Sequence, residues 1–141
     1  MVNIGGALQR GRKAAESLML DTCVVRRATG EPTTDPVTFE VTPVITTVYT
    51  GRCKVQSHEA FEQERETVGA TAQIARIRVD LPVGSGPFNP GDVVTITAAA
   101  YDPLLAGRHF RLTVPGPYKS LATAYRLAAE ELTGAEVPSW T

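Results

Sequence analysis

The chain has 141 residues, enough for one domain that buries a core without disulfides or a structural metal. A formal net charge of -1 excludes a general nucleic-acid coat, because such domains carry a basic excess that releases counterions from phosphate. Two cysteines, Cys23 and Cys53, make neither a disulfide framework nor a four-ligand zinc site and read as buried reduced thiols.

Residues 4–19 repeat apolar or small positions at Ile4, Leu8, Gly11, Ala15 and Leu18, a helical spacing, with Arg10, Lys13 and Ser17 on the opposite side. Gly5, Gly6 and Gly11 each weaken such a helix by about 1 kcal/mol relative to alanine, so it needs a surface to pack on. No long apolar core follows the N-terminal charges, and no apolar run is long enough to cross a bilayer. A soluble, intracellularly made protein is expected, with no membrane partner.

β-branched residues from Asp21 to Arg27 give a first strand, ended by the loop signal Ala28-Thr29-Gly30-Glu31-Pro32, which continues through Asp35-Pro36. In the next strand Ile45, Tyr49, Cys53 and Val55 share one face, and Thr46, Thr50, Arg52, Lys54 and Gln56 the other. Gly51 is a candidate bulge. Residues 57–69 then break the alternation, and Glu59, Glu62, Glu64 and Glu66 against Arg65 make this long inter-strand excursion acidic.

Three strands follow. The first sets Ala75, Ile77, Val79 and Leu81 against Arg76, Arg78 and Asp80; residues 92–101 face Val94, Ile96, Ala98 and Ala100 one way; residues 109–114 turn Phe110, Leu112 and Val114 inward. The turn Val83-Gly84-Ser85-Gly86-Pro87-Phe88-Asn89-Pro90-Gly91-Asp92 is the most distinctive stretch of the chain. It is followed by no helix whose N-terminus could hold an anion, so it reads as a hairpin loop. Residues 121–132 fit a helix through Leu121, Tyr125, Ala128 and Leu132, and a strand through Leu121, Thr123, Tyr125 and Leu127. Their alanines favour helix, whereas the open sheet edge favours a closing strand, which is the reading taken. Residues 133–141, with Pro138 and Trp140, form a loose tail.

The expected fold is mainly β: a small antiparallel β-barrel of about six strands (residues 20–132), with an N-terminal helical arm (1–19), a long inter-strand loop and a C-terminal tail (133–141). Nucleophile elbow, phosphate loop, HExxH helix and dinucleotide fingerprint are all missing from the sequence. His58-Glu59 beside Glu62 lacks a second histidine and reads as a solvated loop, and His109, opposite Phe110 on its strand, as a surface residue. No catalytic, metal-binding or cofactor-binding residue is therefore assigned, and an enzyme is not expected. Arg10, Arg12 and Lys13, with Arg26 and Arg27 beyond, form the densest positive cluster, either a solvated face or a contact for phosphates or an acidic partner.

Several stretches resemble a known family. Leu20-Asp21-Thr22-Cys23, Val48-Tyr49-Thr50-Gly51-Arg52-Cys53-Lys54-Val55-Gln56, Arg78-Val79-Asp80-Leu81-Pro82-Val83, Gly91-Asp92-Val93-Val94-Thr95-Ile96 and Leu105-Ala106-Gly107-Arg108-His109-Phe110-Arg111 are similar to small neck proteins of tailed phages, mainly those infecting actinobacteria. These are head-to-tail connectors of the stopper or head-completion type. The resemblance spans roughly residues 20–132 and rests on strands and turns. It implies a structural virion protein, made in the host cytoplasm, that forms a ring, sixfold by the resemblance, between the adaptor ring beneath the portal and the first ring of the tail. Double-stranded DNA passes through the channel, and a long loop from each subunit helps retain the packaged genome.

On that resemblance the 57–69 excursion matches the stopper loop, so Glu59, Glu62, Glu64, Arg65 and Glu66 are the candidate DNA-facing residues. Arg10, Arg12, Lys13 and Trp140 are the candidate partner contacts on the arm and tail. A tail-terminator ring is the alternative in the same class, but such proteins flank a sheet with helices. A nucleic-acid-binding barrel of OB type is the alternative in another class, and it needs aromatics on a basic strand face, whereas aromatics make up 6% of this chain.

Overall fold

The computed structural model describes residues 3–58, 76–113 and 119–141. Helix α1, Ile4–Ser17, starts at Asn3, whose Oδ1 accepts the Gly6 N–H at 3.0 Å and so occupies one of the free donors of the first turn. The helix half-buries Leu8, Gly11, Arg12 and Ala15, while Ile4 and Leu18, expected on the packed face, stay 59% exposed. Gly11 has a local reason to be small: a Cβ there would meet Thr123 Cγ2 at 3.0 Å.

Strand β1, Asp21–Ala28, leads into a hairpin of two short strands, β2 (Thr33–Thr34) and β3 (Val41–Thr42), where the sequence reads only as a turn or loop. The long strand β4, Ile45–His58, follows, and then β5 (Arg76–Leu81), β6 (Val93–Ala98), β7 (His109–Leu112) and β8 (Tyr125–Leu132). Six of them close a barrel in the order β1-β4-β5-β8-β7-β6, every pair antiparallel. β8 enters between β5 and β7, so its backbone finds a ladder on both sides. That gain outweighs the helical propensity of its alanines.

Two register breaks correct the expected facing. Val25 pairs with Tyr49 but Arg26 with Thr47, which leaves Val48 as the extra residue, so the bulge lies there and not at Gly51. Gly51 instead pairs in register with Cys23, and a Cβ on it would come within 2.7 Å of Tyr49 Oη, because the Tyr49 ring lies across it. The second break makes Thr97 the extra residue, so β6 buries Val94 and Ile96 but leaves Ala98 and Ala100 exposed, and the strand ends at Ala98. Residues 57 and 58 belong to β4 rather than to the excursion, while Ile74, Ala75 and Val114 lie outside the described residues.

Inside the barrel Cys23, Val25, Cys53, Val79, Leu81, Ile96, Phe110, Leu112 and Leu127 pack as one core. The distinctive turn supplies its stopper. Phe88, 5% exposed, meets Tyr49 edge-on at 6.2 Å and Tyr125 at 6.5 Å between ring centres. Asp92, at the end of that turn, is buried and accepts from Arg27 Nε and Nη2 at 2.7 Å each and from the Asn89 N–H at 2.8 Å. Arg27 Nη2 also reaches the Pro87 carbonyl at 3.0 Å, so one guanidinium ties β1 to the middle and the end of the turn.

Candidate functional site

The acidic residues Glu59, Glu62, Glu64, Arg65 and Glu66 lie outside the described residues. Their anchor is described: β4 and β5 remain paired to the rung His58↔Arg76, so residues 59–75 connect two strands still joined at their ends.

On the arm, Arg10 and Lys13 are exposed. Arg12 is half-buried, and its Nε donates to the Ala122 carbonyl at 3.0 Å, which fastens the helix to the barrel. Trp140 is half-buried in the tail. Arg12 borders a groove of about 420 Å³ with Val83, Lys119, Ser120, Ala122 and Tyr125. Among the described residues this lining brings two cations together without a carboxylate, histidine or thiol, and so without an acid–base pair or a base for the Ser120 hydroxyl.

The two thiols are neighbours. Cys23 pairs with Gly51 and Asp21 with Cys53, so the cysteines stand diagonally on adjacent strands, both buried and free. A hydrogen bond to Cys23, together with burial, pushes the Cys53 thiol far up, which makes it an inert core group. Tyr49, half-buried beside them, is pushed up to about 12, chiefly by burial, and donates its hydroxyl to the Arg52 carbonyl at 2.8 Å. His109 shares a hydrogen bond between Nδ1 and Thr95 Oγ1 at 2.9 Å. Among the described residues no group of three or more His, Cys, Asp or Glu could hold a metal ion.

Register assembles one feature that strand-by-strand reading missed. Asp80 pairs with Lys54 on one side and Arg126 on the other, and Arg78 with Gln56. On the outer wall of β4, β5 and β8, the cations Arg52, Lys54, Arg78 and Arg126 therefore surround one buried carboxylate. Arg78 Nε lies 2.9 Å from Asp80 Oδ1, near enough to pair charge, while the hydrogen bond between them runs from Nη2 to Oδ2 at 3.3 Å. Arg52, Lys54 and Arg78 each stand out as an outward position in the sequence, but their adjacency depends on pairings that no single strand reveals.

The hairpin of residues 29–44 is the second missed feature. Thr29 N–H donates to the Val44 carbonyl at 2.7 Å at its base, and at its tip Asp35 exchanges backbone bonds with Phe39 and Glu40 at 2.9 Å. Asp35 Oδ1 accepts the Val37 N–H at 2.7 Å, and these amide contacts hold its carboxyl below the usual carboxylate range. The hairpin presents Val37, Phe39 and Val41 at 83%, 78% and 63% exposure.

The chain belongs to a family of unknown function (DUF6093), whose model matches residues 11–130. No curated protein matches it. The solution structure of protein SF1141 from Shigella flexneri 2a is similar, with a TM-score of 0.53 at 20% sequence identity, over 83% of this chain and 94% of that one. That likeness is one of fold.

Proposed function

We propose that this member of the family is a structural virion protein of the phage neck, a head-to-tail connector ring that joins the portal-side adaptor to the tail and helps retain packaged DNA. The observation that carries the reading is the closed six-strand barrel. Its interior is filled by side chains and plugged by Phe88, leaving helix, hairpin and loops as contact elements around a rigid wall. Such a construction works by shape and contact, as a ring subunit does.

In this reading the acidic residues Glu59, Glu62, Glu64 and Glu66 line the channel, where like charge lets the duplex slide past without being held. Arg10 and Lys13 on the arm meet a neighbouring ring. The basic wall of Arg52, Lys54, Arg78 and Arg126 favours a second reading, a barrel that contacts nucleic-acid phosphates. Among the described residues no aromatic side chain stands between these cations, so the described wall lacks the stacking platform of a single-strand binder.

The test is reconstitution: tail-less, DNA-filled heads are incubated with the protein and then with tails. Joined particles are expected. The variant with all four loop glutamates changed to glutamine is expected to join tails but to retain DNA differently on warming, and identical DNA release would remove the loop from the mechanism.

A further inference from the structure

The hairpin of residues 29–44 stands outside the barrel. Its strands β2 and β3 form a two-stranded sheet of their own, beyond the rung Ala28↔Ile45 that ends the β1–β4 ladder. Phe39 lies six residues from Ile45, so the tip reaches up to about 20 Å past that rung. There Val37 and Phe39 are 83% and 78% exposed, and Phe39 sits at φ 58°, a left-handed conformation that bulky side chains rarely adopt. Asp35 and Glu40 stand beside them, joined by the bond from the Asp35 N–H to the Glu40 carbonyl at 2.9 Å. With Glu31 they give residues 29–44 three carboxylates and no basic residue.

The complement is the groove that Arg12 of α1 shares with Tyr125 of β8. Val83, Ala122 and Tyr125 give it an apolar lining, and Leu121, next to Ala122 in the chain, is 61% exposed. Its charged lining, Arg12 and Lys119, is positive, with no carboxylate among the described residues. The volume of about 420 Å³ falls within the roughly 300–1,000 Å³ of clefts that enclose small ligands, so it admits one aromatic side chain. Phe39, at 78% exposure, does not fill the groove of its own chain.

We propose that the hairpin tip of one copy docks in the groove of a second copy of this chain, with Phe39 seated against Val83, Ala122 and Tyr125 and the carboxylates of Asp35 and Glu40 facing Arg12 and Lys119. An aromatic anchor that fills a pocket is where a protein contact concentrates its energy. Charge selects the pairing: the tip carries only negative groups and the described groove lining only positive ones, so two tips repel while tip and groove attract. A contact between two different surfaces repeats from copy to copy, head to tail, until it closes a ring. The proposal deepens the ring reading above and rests on it.

Two variants test it, both at exposed positions that leave the barrel core untouched: Val37→Asp with Phe39→Asp at the tip, and Lys119→Glu with Ser120→Glu, which turns the described groove lining net negative. Wild-type protein is expected to sediment as an assembly of several copies, and each variant as a folded monomer with unchanged circular dichroism. Mixed one to one, the two monomers are expected to form a dimer and nothing larger, since each pair holds one intact tip and one intact groove. An assembly that survives either double substitution overturns the contact and leaves the ring reading standing. Variants that become monomers but do not associate when mixed also overturn it, because tip and groove are then not partners. Wild-type protein that stays monomeric at millimolar concentration overturns the second copy as the occupant, while heads that still gain a ring of this protein at the portal would keep the ring reading.

Discussion

Replacing Arg27 or Asp92 alone costs more than replacing both, and the difference is calculable from the pair's surroundings. Asp92 is 1% exposed, and its oxygens are filled by Arg27 and the Asn89 N–H. Arg27→Met leaves that carboxylate buried without its cation, at the upper end of the roughly 3–5 kcal/mol expected for breaking a buried pair. Asp92→Leu leaves a guanidinium that is 25% exposed and partly solvated, so its cost lies near the lower end of that range, about 3 kcal/mol. The double variant Arg27→Met with Asp92→Leu buries no unpaired charge and keeps apolar volume, so its cost stays below either single change, at about 1–2 kcal/mol. The resulting coupling is about 6 kcal/mol, a large share of the roughly 5–15 kcal/mol that holds a domain together. Urea unfolding reads it as shifts of the midpoint at constant slope. Single costs that add to the double cost within about 0.5 kcal/mol would refute the pair as the clamp of the 82–92 turn.

Two further predictions probe the same end of the barrel. Phe88→Ala is expected to destabilise by about 3 kcal/mol, since the ring is 5% exposed and wedged between Tyr49 and Tyr125; a loss under about 1 kcal/mol would show that Phe88 plugs nothing. Tyr49 is pushed up to about 12 in the folded protein from an ordinary value near 10, so its contribution is complete below about pH 10 and lost as pH climbs to about 12. Because the ring is half exposed to solvent, that contribution is about 1 kcal/mol, and Tyr49→Phe should flatten the alkaline decline by this amount in chemical unfolding at stepped pH; an unchanged decline would refute it.

The barrel was legible in the sequence because strand alternation reports burial directly. Cys53, Val79, Leu81, Val94, Ile96, Phe110 and Leu112 take the inward places their periodicity assigns. The bulges at Val48 and Thr97 were not legible, since an extra residue shows only against a partner strand, and Gly51 misled because its small size serves the Tyr49 ring and not a bulge. β8 was ambiguous for a physical reason: its alanines suit a helix, and only two waiting ladders decide for a strand. Arg12 looks like its neighbours Arg10 and Lys13 in sequence, and it is the packing on Ala122 that separates them. The hairpin tip was hidden by its turn residues, which signal a loop but not that the loop exposes Val37 and Phe39.

Electron microscopy of tail-less, DNA-filled heads incubated with the purified protein tests the neck role most directly. A ring of added density at the portal vertex, followed by tail attachment when tails are supplied, is the result predicted. Heads that bind no protein, and stay tail-less in its presence, would contradict it.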